Sequence, residues 1–224
     1  MPKLAGHDVP GWVLRVVDTA KRYGADIDTV LGCGHYGCVF PFAKDERWVI
    51  KVTRDATERP MWKWIMGRQK SGEYAMDAFA FVKDVKSAGK IQWQGKQQPI
   101  TVIKREIVEP SSDVIYSSSE RSSLKNLNYA SIAGERFHEL KSRHMKEMAL
   151  SQYIDAAGYA GDDFPLVAEA MQHLTGQGVV FRDIHAGNVG RSVVNWGSDV
   201  RPPGTWVIFD PGHTPILDPD EVWQ

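Results

Sequence analysis

VVFRDIHAGNVG, residues Val179 to Gly190, is the stretch from which the rest of the chain is read. Three β-capable residues, Val179 to Phe181, lead into Arg182 and Asp183. A polar loop then carries Asp183, His185 and Asn188, and a short apolar step follows. Asp183 and Asn188 are five residues apart, too close for two packed elements but close enough for one tight loop to show both side chains on one side. A carboxylate that accepts a hydroxyl proton and an amide oxygen that ligates magnesium are the parts a phosphoryl-transfer loop needs. Asp and Asn also gather in ordinary turns. The reading therefore depends on three further parts: a glycine cradle, a phosphate-binding lysine and a second metal carboxylate.

A chain of 224 residues buries a sizeable core, as one large domain or two small lobes. Its net charge of -1 argues against holding nucleic acid mainly by neutralising phosphates. No run of eighteen apolar residues occurs, so no membrane-spanning helix is expected. The N-terminal MPKLAGHDVPGW lacks the apolar core of a secretion signal. With only Cys33 and Cys38, a disulfide framework is not expected and a reducing cytoplasm is the default compartment.

The segment DTVLGCGHYGCVFPF supplies the cradle. Thr29–Leu31 and Cys38–Phe40 are strand-like, and Gly32, Gly34 and Gly37 lie between them, completed by Val39 as G-x-G-x-x-G-x-V. Without Cβ atoms, backbone N–H groups can approach phosphates closely. A dinucleotide fold needs a helix after its glycines, whereas a second strand follows here. Cys33, His35 and Cys38 offer a rival reading as metal ligands, without a fourth at a familiar spacing. A disulfide between the cysteines is a further alternative, set below free thiols for a cytoplasmic protein. One strand on, RWVIKVTRD places Lys51 nineteen residues after Gly32, where a flexible ammonium can reach the α- and β-phosphates.

Periodicity predicts a helix over 10–23, a second beginning at Glu73 (EYAMDAFAFVKDVKS), a long helical stretch over 129–157 and another over 164–175. Strands are expected near 90–96 and 100–109, and again in WVIFDPGHTP, which ends in Asp210 with Gly212 two residues on. The serine-rich SSDVIYSSSERSS after Pro110 reads as a linker. It divides the chain into units 1–109 and 110–224, with Glu106 to Val108 as the connecting strand. His138 and His144, six apart, are expected at the surface. For the carboxylate that holds Lys51 in place, Glu73 is favoured over Glu58, which follows Lys51 by only seven residues. A first-turn position favoured by the helix dipole is the plainer explanation of Glu73.

Taken in order, the glycine hairpin, strand lysine, helix glutamate, Asp-x4-Asn loop and strand-end Asp-x-Gly resemble the protein kinase-like superfamily over residues 28 to 212. Gly32, Gly34, Gly37 and Val39 match its glycine loop, and Lys51 its strand lysine. Arg182, Asp183 and Asn188 match its catalytic loop, and Asp210 with Gly212 its D-F-G motif. The resemblance implies an α+β, two-lobed fold: an antiparallel N-lobe sheet with one helix, and a small, mainly helical C-lobe. It implies ATP and magnesium as cofactors, with Glu106 and Val108 offering backbone hydrogen bonds to adenine. Asp183 would orient or deprotonate the acceptor hydroxyl, and Asn188 and Asp210 would hold the metal.

Departures from the pattern bear on the acceptor. Phe181 replaces the histidine of H-R-D, Pro211 the phenylalanine of D-F-G, and His185 the usual lysine. D-x-H-x-x-N is closer to aminoglycoside and choline-type phosphotransferases, while the glycine loop is closer to protein kinases. Fourteen residues follow Asp210, with no A-P-E segment, so regulation by loop phosphorylation is not expected. A protein hydroxyl, Ser or Thr, is the favoured acceptor. A small-molecule hydroxyl and a nucleotide-binding pseudokinase that serves as an interaction module are the alternatives. No nucleic-acid or membrane partner is expected.

Overall fold

The computed structural model describes residues 3–111, 116–196, 201–212 and 214–217. The fold is α+β, with antiparallel sheets and, among the described residues, five α-helices. Residues divide into two units, 1–67 with 81–107, and 68–80 with 108–224. The division thus falls just after Ile107, and residues 68–80, assigned from sequence to the first unit, belong to the second.

In the first unit, β1 (Lys3–Leu4) and β2 (His7–Asp8) form a small ribbon, followed by a 3-10 turn at Val13–Arg15 and helix α1 (Val17–Arg22). The main sheet runs β3 (Gly32–Cys33), β4 (Gly37–Pro41), β5 (Trp48–Thr53), β7 (Lys96–Glu106), β6 (Val82–Trp93), with every pairing antiparallel. All six residues of β5 are buried, so both faces of this central strand are covered. Strand period two sorts them. Ile50 and Val52 join Phe40, Cys38 and the N-terminal Trp12, Val13 and Val16 in one core, while Lys51 and Thr53 project from the other face. Burial of a large side chain such as Trp12 stabilises by about 1.5–3 kcal/mol.

Helix α2 (Glu58–Lys70) lies before the helix expected from Glu73 and buries Met61, Trp62 and Ile65. The helix expected from Glu73 onward is absent. Its first part is a 3-10 turn at Tyr74–Ala78, and its second part is β6. The cause of the misreading is a β-bulge between Val82 and Asp84. Val82 pairs with Arg105 and Val85 with Ile103, so residues three apart share one strand face and imitate helical spacing. Gln94 (φ 48°) and Gly95 (φ 77°) close the β6–β7 hairpin as a two-residue turn between Trp93 and Lys96.

The second unit holds a three-stranded sheet, β8 (Val108–Pro110), β9 (Val189–Ser192) and β10 (Trp206–Ile208), in the order β10-β9-β8. Its helices are α3 (Ser118–Glu139), α4 (Arg143–Tyr159) and α5 (Pro165–Thr175). The long stretch expected over 129–157 is two helices, broken at Leu140 to Ser142, and α3 begins eleven residues earlier than expected. Ser117 and Glu120 form a capping box, each side chain bonding the other's backbone amide. This S-x-x-E signal was present in the serine stretch that reads as linker; residues 112–115 of that stretch lie outside the described residues. Helix α5 agrees with expectation, with Pro165 at its first position and Val167, Ala170, Met171 and Leu174 buried. No helix among the described residues is long and apolar enough to cross a membrane.

Candidate active site

The glycine hairpin is built within the first unit. Gly32 pairs with Val39 and Cys33 with Cys38, and the turn closes through Gly34 N–H to the Gly37 carbonyl at 2.8 Å. A Cβ at Gly32 or Gly34 would meet nothing within 4 Å, so the space beside the turn is open. At Gly37 it would come within 3.0 Å of Lys51 Cε and 3.3 Å of the Val52 carbonyl. Glycine there lets the lysine stem lie directly against the hairpin, and Val39 stands across from Lys51 in register.

Cys33 and Cys38 are joined by a disulfide, the alternative set below free thiols in the sequence. Cross-strand pairing holds the two residues opposite each other at the base of the turn. The bond removes both sulfurs from the proposed set of metal ligands. Among the described residues no cluster of three His, Cys, Asp or Glu is arranged to hold a metal by itself.

Lys51 Nζ lies 2.9 Å from Glu58 Oε2, both side chains more than nine-tenths buried. Glu58 Oε1 also accepts the Thr53 hydroxyl at 2.8 Å. The expectation that Glu73 pairs with Lys51 is therefore corrected: Glu58 does so. Seven residues suffice because β5 ends at Thr53 and a short turn leads into α2 at Glu58. Asp55 holds that turn by accepting from the amide and hydroxyl of Thr57, each at 2.8 Å. Glu73 belongs to the second unit, where both its oxygens bind Arg68 and one accepts from Gln177 at 3.2 Å. Burial works to raise its pKa, but the hydrogen bonds from Arg68 and Gln177 outweigh it and hold the carboxyl below the usual range.

Glu106 is buried at the end of β7. Its carboxylate accepts the Phe81 amide at 3.0 Å, its own amide donates to the Phe81 carbonyl at 2.8 Å, and its carbonyl accepts from Arg105 Nη1 at 3.0 Å. The residue thus fastens the start of β6 to the end of β7. Val108 belongs to the other unit, paired with Ser192 in the three-stranded sheet.

In the second unit the loop 182–188 and the segment 209–212 are interlocked. The Asn188 side-chain amide donates to the Asp183 carbonyl, while the Asn188 carbonyl accepts from Phe209 N–H at 3.0 Å and Asp210 N–H at 3.3 Å. Gly212 N–H donates to Asp210 Oδ1 at 3.3 Å. Gly212 adopts φ +61°, and a Cβ there would lie 2.4 Å from Asp183 Cβ and 2.8 Å from Asp183 Oδ2. One small system of bonds therefore brings Asp183, Asn188 and Asp210 together. The Asn188 amide nitrogen is turned to the loop backbone, so a metal held by this side chain would be held by Oδ1.

His185 extends this system. Its Nδ1 accepts the Gly187 amide at 2.9 Å, so the neutral ring carries its proton on Nε2, 3.2 Å from Asp183 Oδ1. The hydrogen bond to Asp183 raises the histidine's pKa, burial opposes it, and the charges of Asp183 and Asp210 add to the rise.

Helix α3 supports the loop with residues that sequence reading did not single out for it. Asn128 Oδ1 accepts the Ala186 amide at 3.2 Å, the Ser131 hydroxyl donates to the Arg182 carbonyl at 3.0 Å, and His138 Nε2 donates to the Val180 carbonyl at 2.7 Å. A Cβ on Gly134 would fall 1.9 Å from the Phe181 carbonyl oxygen. Spacings of three, three and four place all four residues on one helical face. His138 is thus not the surface residue expected, and burial holds its pKa down. A polar stripe of Asn, Ser, Gly and His at helical period was the signal available.

The donors gathered here, two carboxylates and an amide oxygen, are hard oxygens of the kind magnesium takes alongside water and phosphate. Such a donor set fits a hard cation such as magnesium, not soft thiolate ligation. A comparison with known protein families and with curated proteins found no match to this chain.

Proposed function

We propose that the chain is an ATP- and magnesium-dependent phosphotransferase of two-lobed, protein kinase-like fold, acting on a hydroxyl, with Ser or Thr of a protein as the favoured acceptor. The observation that carries this reading is the interlocked set of Asp183, Asn188 and Asp210 in the second unit. Separately, the first unit holds Lys51 between the glycine hairpin and Glu58.

Bound magnesium would neutralise charge on the phosphates, with Asn188 Oδ1 and Asp210 as its protein ligands. Lys51, fixed by Glu58, would bind phosphate oxygens, and beside Gly32 and Gly34 the hairpin backbone would be open to them with no side chain in the way. Asp183 orients the acceptor hydroxyl and takes its proton. The Nε2–H of His185 bonds one oxygen of Asp183 and leaves the other for the acceptor. Positioning and charge stabilisation provide nearly all of the acceleration in such chemistry.

A second reading, a small-molecule hydroxyl as acceptor, is favoured by the His185–Asp183 contact, since a histidine there replaces the lysine common in protein kinases. One experiment separates these readings. The protein is incubated with γ-labelled ATP and magnesium, alone and with cell extract, beside Asp183→Ala and Asp210→Ala. Label entering protein bands only with the intact site supports a protein kinase, and label entering small molecules supports the second reading. Nucleotide binding with no transfer would sink both and leave a pseudokinase.

A further inference from the structure

On the first unit, away from Lys51, a cavity of about 480 Å³ opens beside the sheet face that carries Ile50 and Val102. Its apolar part is formed by those two residues with Phe42 and Tyr23. Its rim holds five cations, Arg22, Lys44, Lys83, Lys86 and Lys104. Asp84 is the one acidic residue in the lining, and it pairs with Lys86 at 2.6 Å. Asp45 lies close enough to influence Lys104, but both its oxygens are engaged by Arg47. Such a concentration of positive charge stands out in a chain whose net charge is -1.

Lysines on an edge strand guard against strand pairing, which accounts for Lys83 and Lys86 on β6. It does not account for Lys104, which lies on the interior strand β7 with its ammonium 3.0 Å from the centre of the Phe42 ring. Burial lowers the pKa of Lys104, the charges of Lys83 and Lys44 lower it further, and Asp45 and Asp84 offset only part of this. A half-buried cation beside like charges is a position that an anion would relieve. The volume lies within the usual range for small-molecule sites, larger than a bare phosphate requires, and the apolar floor matches a ligand with a flat hydrophobic part.

We propose that this pocket binds a small organic phosphate, its phosphate held by Lys104, Lys83 and Lys44 and its apolar body resting on Tyr23, Ile50 and Val102. The site is independent of the proposed phosphotransfer site, whose phosphate-binding lysine is Lys51.

The full chain is titrated calorimetrically with 1-naphthyl phosphate, inorganic phosphate and 1-naphthol, at low and high salt. Naphthyl phosphate is expected to bind at least about tenfold more tightly than either fragment, more weakly at high salt, and about tenfold more weakly to Lys104→Met. The exposed Lys83→Gln should weaken it in the same direction, which guards against a folding defect in Lys104→Met. Lys51→Met with Glu58→Leu, which strands no buried charge, should bind it as the parent does. Absence of binding, equal binding of naphthol, or loss in that double variant with none in the Lys104 and Lys83 variants would overturn the proposal.

Discussion

Gly212 and Asp183 are in backbone-to-side-chain contact so close that no β-carbon fits between them: one placed on residue 212 would sit 2.4 Å from Asp183 Cβ. Gly212 also has φ +61°, a conformation that costs other residues roughly 1–2 kcal/mol. Gly212→Ala is therefore expected to lower stability by at least that amount and to displace Asp183. Chemical denaturation and a phosphotransfer assay would show both effects. A fully active variant would mean that the contact does not position Asp183.

Lys51 and Glu58 form a buried pair, so removing one charge leaves the other without its partner. Lys51→Met is expected to cost about 3–5 kcal/mol, the usual penalty for breaking such a pair. Lys51→Met with Glu58→Leu should recover most of that stability while remaining unable to transfer phosphate. Recovery of both properties together would show that the pair is structural only. Glu73→Gln, by contrast, should leave nucleotide affinity unchanged.

Two histidines give opposite pH dependences. The hydrogen bond to Asp183 raises the pKa of His185 above 6.5 in the folded state. Its contribution to stability is complete below 6.5 and declines as pH rises through the raised value. Burial lowers that of His138, so its contribution is present above 6.5 and declines as pH falls through the lowered value. Stability measured against pH should lose its alkaline-side decline in His185→Asn and part of its acid-side decline in His138→Asn. Unchanged profiles would contradict these assignments.

Helix α3 is predicted to act as a template for the loop. Ser131→Ala removes one hydrogen bond to the Arg182 carbonyl and should cost about 1 kcal/mol. Gly134→Ala places a methyl group 1.9 Å from the Phe181 carbonyl oxygen, backbone that cannot give way without moving the loop. It is expected to be the more damaging of the two, and thermal unfolding of the pair would rank them.

Local structure was legible in the sequence. The glycine hairpin, Lys51 on its strand, the 182–188 loop, Asp210 at a strand end and the amphipathic helix at Pro165–Thr175 all followed from spacing and turn residues. Such signals act over a few neighbours, and the tertiary structure leaves them where they were. The capping box at Ser117 was equally local and equally readable, but the serine content of the stretch obscured it.

What only the tertiary structure decided was partnership. Glu58 and Glu73 are both carboxylates in or near helices, and only the course of the chain after β5 places the first at Lys51 and the second at Arg68. A bulge at Val82 turned a helical spacing into a strand, because the sheet partner rather than the residue pattern sets the faces. The cysteines are bonded because register aligns β3 with β4. The opening stretch illustrates both sides. Sequence alone placed Asp183 and Asn188 in one tight loop, whereas the supports from Asn128, Ser131, Gly134 and His138, and the contact with Gly212, join segments that sequence periodicity cannot relate.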